Sequence, residues 1–122
     1  MFTLCVKDSF SAAHRLEGYA GKCEELHGHN FLVEALFEGD SLNKEGMLVD
    51  FKILKNYLKD VLSALDHRYI NEIPFFHERA SSAEYMAMYI FHEFKKLIKE
   101  DMVSLKEIKV WESENACAAY GD

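Results

Sequence analysis

Two stretches near the start of the chain alternate between apolar and polar residues, the period of a β-strand with one buried face. The first runs from Phe2 to Phe10 and continues with the same parity to His14. The second is His27 to Gly39, and the turn-forming sequence EGDSLNKEG ends it. The pattern predicts two strands joined by the polar, glycine-containing connection EGYAGKCEEL.

The middle of the chain carries apolar residues at spacings of three and four, which form one face of a helix. Asp50 can cap a first helix, which we expect to end near residues 66 and 67. A second helix is predicted within SSAEYMAMYIFHEFKKLIKE, where Ser81 and Glu84 form a capping box.

Two further short strands are predicted from Leu105 to Glu112 and from Ala116 to Tyr120, around the turn SEN. The order ββααββ predicts an α+β fold, with both helices packed on one face of a four-stranded antiparallel sheet. A length of 122 residues suits one domain, which we expect to span residues 1–122. An open sheet has edges that invite pairing between subunits, so we also expect an oligomer.

Composition narrows the classes of partner. The formal charge of -7 argues against a surface that coats nucleic acid, although a few local cations could hold a small phosphorylated ligand. The longest apolar runs fall well short of the ~20 residues that span a bilayer, and the N-terminus lacks a signal-peptide pattern. Three widely spaced cysteines suggest no disulfide framework. We expect a soluble cytoplasmic protein with no nucleic-acid or membrane partner.

Three histidines form a candidate metal site. His27 and His29 are two apart on a predicted strand, so both side chains leave the same face and can converge on one ion. His14 can supply a third ligand if the two strands pair as a hairpin. Three neutral imidazoles are a recognised zinc set that leaves a fourth position open for water or substrate. The alternative is a group of unrelated polar side chains near a strand end.

Cys23 differs from the other cysteines because its neighbours Lys22, Glu24 and Glu25 are charged. A thiol is a useful base or nucleophile only where nearby positive charge favours the thiolate, and Lys22 or a zinc ion would supply that charge. Two alternatives stay open: Cys23 as a fourth ligand of a closed structural zinc site, or as an inert exposed thiol.

Two carboxylates add candidate chemistry. The sequence LDH places Asp66 beside His67 just past the first predicted helix, although side chains adjacent in sequence often point apart. Glu112 shares its parity with Ile108 and Val110, so its carboxylate is predicted on an apolar strand face, where burial is costly unless it is paired. Glu112 is either a strand-end residue that reaches water or a carboxylate that grips a cationic or NH-rich ligand.

The chain resembles the 6-pyruvoyltetrahydropterin synthase superfamily in six blocks that occur in order: FSAAHRL, CEELHGHN, GMLVDFKILK, LDHRYINEIP, SSAEYMAMYI and VWESENACAAY. The blocks cover nearly the whole chain. The three-residue gap between Cys23 and His27 resembles, more narrowly, the bacterial branch, the 6-carboxytetrahydropterin synthases of queuosine biosynthesis. FFHERASSAEY departs from that branch and is closer to the pyruvoyl enzymes.

The resemblance implies roles for nine positions. It assigns zinc binding to His14, His27 and His29, catalysis to Cys23, Asp66, His67 and Glu112, and substrate binding to Glu112, Ser82 and Glu84. Tyr85 stands where the family has asparagine, which alters that wall of the pocket. The resemblance also implies the tunnelling fold and a homohexamer, a dimer of trimers with active sites between subunits.

The implied reaction converts 7,8-dihydroneopterin triphosphate into 6-carboxy-5,6,7,8-tetrahydropterin, acetaldehyde and triphosphate, a step of queuosine (7-deazaguanine) biosynthesis. The implied cofactor is Zn²⁺, acting as a Lewis acid. Two alternatives remain. A 6-pyruvoyltetrahydropterin synthase would eliminate triphosphate without cleaving the side chain, and a non-catalytic, zinc-stabilised oligomer would only bind pterin.

Overall fold

The structure is a computed structural model that describes residues 1–15 and 27–122. Four strands form one antiparallel sheet in the order β1-β2-β3-β4, and two helices lie between β2 and β3 in the chain. The elements are β1 Phe2–His14, β2 His27–Gly39, α1 Phe51–Ser63, α2 Ala83–Leu97, β3 Ser104–Ser113 and β4 Ala116–Gly121. The predicted α+β fold and the order ββααββ are confirmed.

The core lies between the helices and one face of the sheet. Alternate residues of β2 are fully buried, from Phe31 to Phe37, and the ring of Phe31 stacks on Phe10 of β1 with centroids 5.0 Å apart. The helices cover this face with residues spaced three and four apart, including Leu54 and Leu58 of α1. Strand and helix periods therefore meet in one apolar layer. No helix in the described part of the chain is long and apolar enough to cross a membrane.

The helix starts follow from their capping side chains. Asp50 caps α1 as predicted, because its Oδ1 accepts a hydrogen bond from the N–H of Lys52 at 2.9 Å. The predicted capping box of Ser81 and Glu84 is wrong, since the N-cap of α2 is Ser82, whose Oγ accepts from the N–H of Tyr85 at 3.3 Å. The Ser81 side chain is fully buried and hydrogen-bonds outside the helix.

The segment that follows α1 lies along the outer edge of β1. The N–H of Ser11 donates to Oδ1 of Asp66 at 2.9 Å, and the N–H of His67 donates back to the carbonyl of Ser11 at 2.6 Å. Two residues further on, the N–H of Ala13 donates to the carbonyl of Arg68 at 3.0 Å. These bonds satisfy the strand edge and bring the predicted Asp-His pair beside the end of β1.

Candidate active site

Of the three predicted zinc ligands, His14 and His29 have described side chains, and these lie on neighbouring strands at the same end of the sheet. The strands pair as the predicted hairpin, with His14 opposite His27 and Ala12 opposite His29. The ring centroids of His14 and His29 are 6.5 Å apart. Cys23 and the side chain of His27 lie outside the described residues. The structure thus brings together two of the three predicted zinc ligands.

His14 is fully buried and its ring is held in one orientation. Nδ1 lies 2.8 Å from the carbonyl oxygen of Ser81, and because a carbonyl can only accept, Nδ1 carries the proton and donates. The other nitrogen, Nε2, lies 3.8 Å from Oε1 of Glu112. A neutral imidazole in this tautomer presents the Nε2 lone pair, which is the form that binds a metal.

Glu112 is placed by a β-bulge. Trp111 pairs with Cys117 and Ser113 pairs with Ala116, so Glu112 is one residue more than β4 provides partners for. A bulge re-aims a side chain and often lies beside an active site. The main-chain carbonyl of Glu112 here faces Nε2 of His29, while its carboxylate, 40% exposed, reaches towards Nε2 of His14.

Asp66 and His67 do meet, although they are adjacent in sequence. Oδ2 of Asp66 lies 3.1 Å from Nδ1 of His67, and the backbone of His67 adopts the left-handed conformation with φ of 58°, which is uncommon for a residue other than glycine. The hydrogen bond from the Ser11 N–H, reinforced by the imidazole, holds the pKa of Asp66 below its ordinary value. Asp66 therefore stays ionised, and the His67 ring, 82% exposed, is open to a ligand.

A cleft of about 1190 Å³ lies at this end of the sheet. Its lining includes Ser11, His29, His67, Arg68, Trp111 and Glu112. His14 contacts the cleft through Glu112, and Asp66 does so through His67. The other two predicted pocket residues do not line this cleft within the single chain: Ser82 caps α2, and Glu84 is exposed on its first turn.

Arg68 and Trp111 are among the cleft residues that the sequence did not single out. Arg68 directly follows the Asp-His pair and supplies a cation that can attract an anionic ligand, whereas Lys7 of β1 lines the cleft in an ion pair with Glu34 at 3.2 Å. Trp111 precedes Glu112 and supplies an aromatic surface. Both residues are adjacent in sequence to residues that had been singled out. Adjacency was not used as a criterion, because adjacent residues on a strand normally face opposite sides of the sheet.

The donor atoms at this end of the sheet suit a zinc ion. Nδ1 of His14 donates to the Ser81 carbonyl, so the lone pair of this ring is on Nε2. Nε2 of His29 faces the main-chain carbonyl of Glu112, which can only accept, so the lone pair of that ring is on Nδ1. Imidazole nitrogens of this kind are preferred zinc ligands. Among the side chains that the structure describes, no three histidine, cysteine or acidic residues form a complete set.

The fold and the cleft indicate the general class of protein before any comparison is made. An α+β domain in which histidines, an Asp-His pair and a re-aimed carboxylate meet in one cleft has the parts of an enzyme that moves protons. The family follows from comparison with known proteins. The family model described as 6-pyruvoyl tetrahydropterin synthase matches residues 3–122, and the chain belongs to this family.

Relatives agree over nearly the full length. The 6-carboxy-5,6,7,8-tetrahydropterin synthase of Haemophilus influenzae is 31% identical, covering 98% of this chain and 99% of its own. The dihydroneopterin monophosphate aldolase of Pyrococcus furiosus is 36% identical over 85% of this chain and 83% of its own. The solved 6-pyruvoyl tetrahydropterin synthase of Caenorhabditis elegans superposes with a TM-score of 0.87 at 30% identity, covering 99% of this chain and 95% of its own. All three names are those of enzymes, and this chain is a member of an enzyme family.

Proposed function

We propose that the protein is a zinc-dependent lyase that converts 7,8-dihydroneopterin triphosphate and one water molecule into 6-carboxy-5,6,7,8-tetrahydropterin, acetaldehyde and triphosphate. The observation that carries the proposal is that His29, Glu112 and His67 line one cleft, with His14 directly behind Glu112 and Asp66 directly behind His67. The likeness to the Haemophilus influenzae synthase over almost the whole of both chains supports the choice of product. The reaction would serve queuosine biosynthesis.

Zinc binding falls to His14, His27 and His29. The bound ion supplies Lewis-acid polarisation of the hydroxyl groups on the substrate's side chain. His14 is prepared for this task by its buried position and by the Ser81 carbonyl, which fixes the tautomer in which Nε2 is unprotonated. The hairpin register, with His14 opposite His27, supports the participation of the third histidine.

Glu112 is assigned the role of binding the pterin ring. A carboxylate can accept two charge-assisted hydrogen bonds from the ring's NH groups, which fixes the ring's orientation as well as its affinity. Oε1 of Glu112 lies 3.8 Å from His14 Nε2, so the anchored ring would hold its side chain near the metal ligands. Trp111 and Leu32 add apolar lining to the cleft that receives the ring.

Acid-base work falls to Cys23 and to the Asp66 and His67 pair. Cys23 as thiolate would take a proton from the substrate's side chain, and His67, held by Asp66, would deliver one at another atom. The exposure of the His67 ring and the short distance to Asp66 support this role. Triphosphate would then leave, attracted by the Arg68 side chain that lines the cleft, and cleavage of the substrate's side chain would release acetaldehyde.

The proposed assembly is a homohexamer, a dimer of trimers with active sites between subunits. The outer strands of the sheet are β1 and β4, and strand edges are suited to pairing with another chain, which on β1 applies outside residues 11–13, where the segment after α1 is hydrogen-bonded. In that assembly Cys23 of one subunit would meet Asp66 and His67 of another. A cytoplasmic location is part of the same proposal, supported by three cysteines that include no closely spaced pair.

The test is to incubate the zinc-loaded protein with 7,8-dihydroneopterin triphosphate and to identify the products by mass spectrometry, together with an assay for acetaldehyde. We expect the 6-carboxy product and stoichiometric acetaldehyde. A triphosphate-free pyruvoyl product without acetaldehyde would make the protein a 6-pyruvoyltetrahydropterin synthase. Bound but unaltered pterin would identify a non-catalytic binding protein.

A second candidate activity is favoured by one observation, the 36% identity to the Pyrococcus furiosus dihydroneopterin monophosphate aldolase. A parallel incubation with dihydroneopterin monophosphate separates the two. Turnover of the monophosphate with no turnover of the triphosphate would assign the aldolase activity and reject the proposed lyase.

A further inference from the structure

Three segments that are distant in sequence meet behind His14. They are the end of β1, the short 3-10 turn Ile70–Glu72 and the residue that precedes the cap of α2. Ser81 lies 67 residues from His14 in the chain, yet its carbonyl accepts the Nδ1 hydrogen bond at 2.8 Å. The orientation of the buried ring therefore depends on how firmly these segments are joined.

Asn71 makes the join through the residue next to His14. Its Oδ1 accepts from the N–H of Arg15 at 2.9 Å, and its Nδ2 donates to the carbonyl of Arg15 at 2.8 Å. The side chain of Asn71 thus binds both peptide groups of Arg15, as a neighbouring strand would. These two hydrogen bonds to the backbone fix the end of the strand that carries His14.

Ser81 closes the arrangement from the other side. Its Oγ lies 3.0 Å from the carbonyl of Arg15 and 3.1 Å from Oδ1 of Asn71, and its single proton can be donated to either oxygen. The side chain is fully buried. Since Ser82 caps α2, the Ser81 hydroxyl is not needed to start the helix, and its bonds all serve the neighbours of His14.

We propose that Asn71 and Ser81 are positioning residues for His14. Asn71 holds the strand end and the Ser81 loop together, and the Ser81 carbonyl then fixes the ring and its tautomer. The proposal rests on the proposed function, in which His14 is a zinc ligand. Partners behind a metal-binding histidine set its orientation, and losing one typically costs about 10- to 100-fold in metal affinity. Neither residue touches substrate or metal.

The central test is Asn71→Ala, with Asn43→Ala as its matched control. Asn43 also holds two backbone N–H groups through Oδ1, those of Glu45 and Met47, each at 3.0 Å. It lies in the turn beyond the far end of β2 from His29. The zinc dissociation constant is measured by competition with a chelator, and the visible spectrum of the Co²⁺-substituted protein reports the ligand geometry.

For Asn71→Ala we expect zinc affinity about 10- to 100-fold weaker and an altered Co²⁺ spectrum. Excess zinc should return the kcat of Asn71→Ala to the wild-type value, whereas a variant that had lost its fold would stay inactive. Asn43→Ala should match the wild type in both measurements. If Asn71→Ala does not fold, Ser81→Ala is the second variant, expected to weaken zinc less because the carbonyl that holds His14 remains.

His14→Ala separates this inference from its premise. In one outcome His14→Ala loses zinc, while Asn71→Ala and Ser81→Ala keep the wild-type zinc affinity and Co²⁺ spectrum. That outcome would overturn the inference and leave the proposed function intact. Zinc binding unaffected by His14→Ala would overturn both, since the metal would then lie elsewhere.

Discussion

Asp66 shows how a single backbone contact can decide the state of a functional side chain. The peptide N–H of Ser11 and the imidazole of His67 both favour its charged form, and so the pKa of Asp66 lies below its ordinary value. The charged carboxylate is then available to orient His67 across the whole neutral range. Sequence adjacency alone did not establish this, because the contact with Ser11 joins residues 55 positions apart.

Asp66→Asn keeps an oxygen that can accept from Ser11 but removes the charge. Because the folded pKa is lowered, the stabilisation is fully present above the unfolded pKa of about 4 and is lost as pH falls through the folded pKa. Thermal unfolding should therefore show a lower midpoint for Asp66→Asn at pH 7 and a gap that closes in acid. Asp60→Asn, an exposed change on α1, is the control, and a gap independent of pH would contradict the assignment.

Glu112→Gln tests the carboxylate at the bulge. The amide keeps one acceptor but replaces the second oxygen by a donor, so two charge-assisted bonds to the pterin ring cannot both form. We expect pterin affinity to fall about 10- to 100-fold, since a hydrogen bond to a charged group contributes about 1.5–3 kcal/mol, while zinc content stays the same. Fluorescence titration and metal analysis measure the two quantities.

Glu114→Gln provides the matched control for that experiment, because Glu114 lines the same cleft but is not on the bulge. It should bind pterin as the wild type does. Unaltered affinity in Glu112→Gln would remove Glu112 from the ring-binding role.

At the scale of the elements, the periodicity of apolar residues predicted the helices and strands that pack against one another through a single face. Both helices and all four strands were predicted because their apolar residues repeat with the period of a single buried face. The start of α2 was misplaced by one residue because Ser81 and Ser82 are both good caps, and only tertiary contacts draw Ser81 away. The bulge at Glu112 and the pairing of β1 with the segment after α1 depend on register between distant strands, which periodicity does not encode.

Ser82→Ala tests the corrected start of α2. Removing an N-cap hydroxyl leaves the N–H of Tyr85 without its partner and should lower the free energy of unfolding by about 1 kcal/mol. Urea denaturation measures the change. Ser63→Ala removes an exposed hydroxyl at the last turn of α1, where alanine favours the helix, and should cost nothing. Equal losses from both changes would argue against Ser82 as the cap.

At the scale of the whole molecule, the core and the cleft are separable. The fully buried residues lie between the sheet and the helices, with Phe31, Leu54 and Phe94 among them, whereas the cleft residues lie at one end of the sheet. His14 belongs to both, since it is buried against the edge of the Phe31 ring at a centroid distance of 5.3 Å. The core cluster is formed by apolar side chains packed on one another.

Under the proposed function, removing bound zinc should abolish turnover without unfolding the chain. Circular dichroism of the protein after chelation should still show the helix and strand signals. The midpoint of thermal unfolding should fall, because a ligand that binds only the native state no longer stabilises it. Added Zn²⁺ should restore activity, whereas Mg²⁺, which prefers oxygen ligands, should not. Unfolding or dissociation on chelation, with no triphosphate released by the zinc-loaded form, would instead identify a zinc-stabilised binding protein, because the ion would then be holding the fold and not acting on a substrate.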